Sequence, residues 1–181
     1  MTKTTLAPLH RLVWTALMAA LLAAGAFLHF PLWGVPFSLQ MLFVFLAGLA
    51  LGPAWGAASV ILYTLAGLVG LPVFAGGKSG LAVLLGPTGG YIFGYIVCAV
   101  IMGLAGRNRG VVPWGRGLLW GLGAILAVYV PGVFQLRAVL GIGWDEALTI
   151  GMAPFVPLDI LKLLAAIAAQ RALGRSRLLP S

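Results

Sequence analysis

The chain has 181 residues, of which 62% are hydrophobic and 8% charged, and its mean hydropathy is +1.11. A soluble domain carries about 25% charged residues, so this composition leaves almost nothing to face water and excludes a soluble globular fold. The net charge of +8 comes from 11 basic and 3 acidic residues; the basic residues flank apolar segments, which points to a membrane surface rather than nucleic acid.

Apolar runs at residues 12–28, 38–52, 54–71, 88–106, 117–136 and 147–169 predict six membrane-spanning helices in one all-α domain over 1–181. A span needs about 20 mostly apolar residues, so the second run is short. Gly34-Val35-Pro36, Gly52-Pro53, Gly86-Pro87 and Gly141-Ile142-Gly143 punctuate the joints. The first run has the charged start and small residues of a signal peptide. Because further apolar spans follow it, it reads as a retained helix.

Lys3, Arg11, Arg107, Arg109, Arg116, Arg171, Arg175 and Arg177 lie in the tails or between spans four and five, against Lys78 and Arg137 on the other side. The positive-inside rule then places both termini (1–11 and 171–181) in the cytoplasm and makes loop 72–87 an external lid. Cys98 sits in an apolar run and reads as packing, and His10 and His29 read as interfacial.

Within that loop, 74-FAGGKSG-80 carries the Gly-Lys-Ser ending of a phosphate-binding loop. The first glycine of that motif would fall at position 72, which is Pro72, and an apolar helix rather than a strand precedes it. The nucleotide reading fails, and glycines such as Gly77 and Gly80 read as a chain that approaches another surface closely.

Ionisable residues inside a membrane span are functional candidates. Asp159 lies 12 residues into the sixth run, roughly 18 Å deep, and Lys162 shares its face. The alternative to a ligand site is an ion pair that neutralises itself. Pro154 and Pro157 precede them and free backbone carbonyls where the backbone lines a cavity. Arg137 closes the fifth run and either snorkels to the interface or pairs an anionic group. Ser38 and Gln40 begin the second run; Thr88, Gly89, Gly90 and Tyr91 open the fourth. Ser38 and Thr88 can serve as helix caps, whereas the Gln40 amide requires partners if buried. These elements converge on the outer half of the bundle, which predicts a small-molecule pocket under the 72–87 lid. In the first run, Ala16, Ala20 and Ala24 recur every four residues and predict a close helix-docking face, within the bundle or for a separate subunit.

The segments 35-VPFSLQ-40, 48-GLALGPAWGAASVILYTLAGLVGLPVFAGGKSG-80, 85-LGPTGGYIFGY-95 and 154-PFVPLDILK-162 resemble the BioY family. Its members are biotin-specific substrate-capture (S) components of energy-coupling factor (ECF) transporters. The resemblance runs from about residue 12 to 170. It implies a six-helix bundle in a prokaryotic cell membrane that captures biotin outside and delivers it by toppling. The partners it implies are a transmembrane coupling subunit and two cytoplasmic ATPases, with no cofactor. It also implies docking through Ala16 and Ala20, and a biotin site that includes Asp159 and Lys162. Asp159 would accept from the ureido N–H groups, and Lys78 or Arg137 would meet the carboxylate. Gly77, Gly80, Thr88, Gly90, Tyr91 and Gln40 complete the expected site. Ser38 departs from the family's usual Thr, and Lys78 replaces a more usual neutral residue. The competing reading is a stand-alone or proton-coupled secondary transporter with Asp159 as relay. An enzyme is not expected, because no Ser/His/Asp set, paired carboxylates or metal cluster is present.

Overall fold

A computed structural model describes residues 3–32, 35–106 and 110–176. Arg107, Arg109 and Arg177, counted above in the charge bias, lie outside the described residues. The elements in chain order are α1 (Lys3–Phe27), β1 (His29–Leu32), β2 (Val35–Ser38), α2 (Gln40–Leu68), α3 (Leu81–Leu85), α4 (Gly89–Ala105), α5 (Trp114–Leu140), α6 (Trp144–Gly151) and α7 (Val156–Arg175). Helices dominate because backbone N–H and C=O groups in hydrocarbon have no water to bond and must be satisfied within each segment.

Three helical stretches, Pro8–Phe27, Gln40–Leu68 and Trp114–Leu140, are long and apolar enough to cross a membrane, and the bent α6–α7 pair makes a fourth if it counts as one span. One of them is not a single rod. In a straight helix Gln40 and Tyr63 would stand about 35 Å apart, yet Gln40 Nε2 donates to Tyr63 Oη at 2.6 Å. The chain reverses at Gly52, whose φ of 81° falls in the region open mainly to glycine. Residues 40–51 and 53–68 are therefore two antiparallel arms with no loop between them. They touch so closely that a Cβ on Gly56 would lie 2.8 Å from the Gly48 Cα. Pro53 opens the second arm, where its missing N–H has no partner to lose.

Three features differ from the sequence expectation. The joint between the first two runs is an antiparallel β1–β2 hairpin, with His29 opposite Ser38 and Phe30 opposite Phe37, so the domain is not wholly helical. The loop at 72–87 is not all irregular, because α3 lies within it. The sixth run is broken: α6 ends at Gly151, α7 begins at Val156, and the two are bent by 41°. Asp159 therefore sits in the first turn of α7 rather than twelve residues along one continuous helix.

Helix α4 packs on both α2 and α5, α1 on α2, and α7 on α2 and α5. Val44, Phe45, Cys98, Met102, Leu163 and Ile167 are fully buried at their junction. The outer surface carries many large apolar side chains, among them Leu119, Val130 and Phe134, as expected where the surrounding solvent is lipid. At one end, Gln170 accepts from the Val112 N–H and donates to the Gly110 carbonyl. That glutamine closes the α4–α5 connection against α7. The hairpin, loop 72–87 and the α6–α7 break gather at the opposite end.

Candidate functional site

A cavity of about 180 Å³ opens at the hairpin end of the bundle, more than about ten times the space one ordered water needs. Its walls come from β2, both arms of α2, loop 72–88, α4, α5, the α6–α7 break and α7.

The polar end is built on α7. Lys162 Nζ donates to Asp159 Oδ1 at 2.7 Å, and both side chains are buried. They are three residues apart, so the helix places them on one face. Tyr129, from α5, donates its hydroxyl to Asp159 Oδ2. Each carboxylate oxygen thus holds one protein donor and keeps lone-pair capacity for another. The first turn of α7 adds the positive end of the helix dipole, which favours an anionic side chain there. Lys162 also lies 3.8 Å from the centre of the Phe37 ring, a cation–π contact that ties the hairpin to α7.

A second polar group faces it from α2. Ser38 Oγ donates to Gln40 Oε1 at 2.9 Å, and Gln40 Nε2 donates to Tyr63 Oη. The bond to Gln40 uses Tyr63 as acceptor, so its hydroxyl proton remains for another partner. Toward the backbone of α2, Ser38 accepts a long 3.4 Å bond from the Gln40 N–H, and Thr88 makes no side-chain capping bond to α4. The cap role considered for Thr88 is thus not the one it plays here; it lines the cavity instead.

Aromatic rings complete the wall. Phe37 stacks on Phe155 with centroids 6.3 Å apart, and Phe74 meets Tyr63 edge-on at 5.6 Å. Phe74 is buried against Gly67 and pins loop 74–80, which closes on itself through Phe74 N–H to Lys78 O at 3.0 Å. That loop follows a helical arm, not a strand, so it lacks the setting of a phosphate cradle. Gln135 holds the other side of loop 72–87. Its Nε2 donates to the carbonyls of Leu84 at 2.7 Å and Gly86 at 2.8 Å, satisfying the orphaned end of α3.

Of the residues expected at a site, Gln40, Lys78, Thr88, Tyr91, Asp159 and Lys162 line this one cavity. Among the described residues Lys78 forms no ion pair, since the pair between Asp159 and Lys162 uses the only acid there. Four others lie elsewhere. Gly77 closes the tight turn onto Phe74 O, and Gly80 donates to Gly67 O at 2.8 Å, both within loop 72–87. Gly90 abuts Pro131, where a Cβ would lie 2.2 Å from the carbonyl oxygen. Arg137 stacks on Trp144 at 4.6 Å, beyond the cavity wall. Tyr129, Tyr63, Phe37, Phe155 and Gln135 were not singled out from the sequence. The available signal was a tyrosine mid-span, away from the interfacial belts where tyrosine is usual. Ala16 and Ala20 are exposed on α1, on the side turned away from the bundle.

The cavity as a whole offers an acceptor, several donors, an unpaired cation and an aromatic box. It suits a small, compact molecule with N–H donors at one end and an anionic group at the other.

The BioY family model matches residues 1–178. The chain is 39% identical to the biotin transporter BioY of Thermotoga maritima over 158 residues, 87% of this chain and 92% of that protein. It is 36% identical over 173 residues to the biotin transporter BioY of Rhodobacter capsulatus, covering 89% of this chain and 91% of the relative. The fold is similar to the crystal structure of the S-component for biotin from an ECF-type ABC transporter, with a TM-score of 0.84 and 28% identity over 96% of this chain and 94% of that one. Sequence and fold agree over nearly the full length, and the chain belongs to the BioY family.

Proposed function

We propose that this chain is the biotin-capturing S component of an ATP-driven ECF transporter in a prokaryotic cell (inner) membrane. The observation that carries the reading is the buried Asp159–Lys162 pair, braced by Tyr129, at the polar end of an aromatic cavity. Biotin brings two ureido N–H donors, a ureido carbonyl, an apolar thioether ring and a carboxylate. Asp159 retains acceptor capacity for the N–H groups. Gln40 and Tyr63 face it with an amide and a hydroxyl. Phe37, Phe74 and Phe155 suit the sulfur-containing ring, since sulfur packs well against aromatic edges. Lys78, unpaired and at the lid, suits the carboxylate better than Arg137, which is stacked on Trp144.

Six crossings follow if the two arms of α2 count separately, with α1, α4, α5 and the α6–α7 pair supplying the others. An even number returns both termini to one face, and the basic residues near the chain ends favour the cytoplasm for that face. Loop 72–87 then lies outside as the lid. The exposed Ala16 and Ala20 leave α1 a smooth strip on which a transmembrane coupling subunit can dock. Two cytoplasmic ATPases would drive release, so the chain needs no nucleotide loop, no cofactor and no catalytic centre of its own.

The test is uptake of labelled biotin by a biotin auxotroph that expresses this chain with or without a coupling module and its ATPases. Accumulation that requires the module and survives collapse of the proton gradient supports the reading. Accumulation that needs no module and disappears with the gradient favours the stand-alone, proton-coupled alternative, for which Asp159 is the one acid buried in a span.

A further inference from the structure

A second concavity, about 470 Å³, runs along the outside of the bundle between α4, α5 and α6. Leu126, Val130 and Phe134 form its α5 side at four-residue spacing, so they make one stripe parallel to the helix axis. Phe93 and Leu148 close it from either side. These five side chains are exposed and wholly apolar. The stripe continues to Arg137, three residues beyond Phe134, at the hairpin end of the bundle. There the guanidinium lies 4.6 Å from the Trp144 ring, and its Nε is buried with no hydrogen-bond partner. Asp145 and Glu146 are exposed in the adjacent first turn of α6, yet neither forms an ion pair with Arg137.

We propose that this groove holds one phospholipid, its acyl chain along Leu126, Val130 and Phe134 and its phosphate on Arg137. The geometry matches a lipid standing in its leaflet: an apolar channel along the helix axis, an indole lining it, and a cation on that indole. Arg suits a phosphate because its N–H groups form a planar fork. Asp145 and Glu146 would repel a purely anionic headgroup and attract an ammonium, so the headgroup is zwitterionic, as in phosphatidylethanolamine. Tyr129 lines both this groove and the ligand cavity. A seated acyl chain therefore packs on the ring whose hydroxyl braces Asp159. The inference rests on the chain spanning a membrane and not on what fills the cavity.

The experiment is native mass spectrometry of the purified full chain in detergent micelles with dioleoyl phosphatidylethanolamine or dioleoylglycerol added. Variants are Arg137→Gln, which removes the charge, and Val130→Trp, which fills the groove. Each is checked as monodisperse by size exclusion, and lipid is counted per folded protein. One retained phosphatidylethanolamine is expected, reduced roughly tenfold in Arg137→Gln, the scale of a lost bond to a charged group, and abolished in Val130→Trp. Equal retention of dioleoylglycerol, retention unchanged in both variants, or no retained lipid in the parent protein would each overturn the proposal.

Discussion

Tyr129 on α5 donates its hydroxyl hydrogen bond to Asp159 on α7, across 30 positions of sequence. It is the link that joins the fifth helix to the polar end of the cavity. Asp159 needs such links because a buried carboxylate with one partner retains much of its desolvation penalty. Removing the hydroxyl in Tyr129→Phe deletes a bond to a charged acceptor, worth about 1.5–3 kcal/mol. Biotin affinity should fall by about tenfold or more while the protein remains monodisperse, as titration calorimetry would record. Unchanged affinity would remove Tyr129 from the account.

Asp159 and Lys162 neutralise one another only as a pair. Asp159→Asn leaves the lysine buried and uncompensated, which costs about 3–5 kcal/mol in such cases. The expected result is a clear drop in melting temperature along with loss of biotin binding. The double variant Asp159→Asn, Lys162→Met removes both charges and should recover most of the stability without recovering binding. A double variant that melts as low as the single one would show that the loss is not electrostatic.

In the proposed function, where loop 72–87 is a lid, Gln135 is its positioning residue. Replacing it with Leu frees two carbonyls at the end of α3 that it now satisfies. The lid should open more often, raising the dissociation rate of biotin more than it lowers the association rate. Stopped-flow measurement with fluorescent biotin separates the two. Equal effects on both rates would mean that Gln135 shapes the site rather than holding its cover.

Ala20 is exposed on α1, away from the cavity. Ala20→Trp would block close approach of another helix without touching the ligand site. Biotin binding by the isolated chain should be retained, while co-purification with the coupling subunit is lost. Co-purification at the parental level would exclude this face as the docking surface.

The helices were legible in the sequence because their signal is composition over about 20 residues, and Gly52-Pro53 marked the fold-back at the position where φ turns positive. The α6–α7 break was only half legible. Pro154 and Pro157 signalled freed carbonyls, but apolar side chains run through the break without interruption, so composition alone read one span. The hairpin at 29–38 is too short and too proline-rich to show a strand pattern. In the cavity, charge singled out Asp159 and Lys162, since a charge in a membrane span has few neutral explanations, while Lys78 stood out as the basic residue of loop 72–87. Tyr129, Phe37 and Gln135 acquire their roles only from the residues they face across the bundle. Pairwise geometry of that kind is set by how α5, β2 and α7 pack, and no local spacing records it.

The central claim is that this chain by itself captures biotin through Asp159. Isothermal titration of the purified chain with biotin, alongside Asp159→Asn, tests it most directly. The account predicts saturable binding near one biotin per chain, weakened by orders of magnitude in the variant. No binding by a folded parent protein, or equal binding by both, would contradict it.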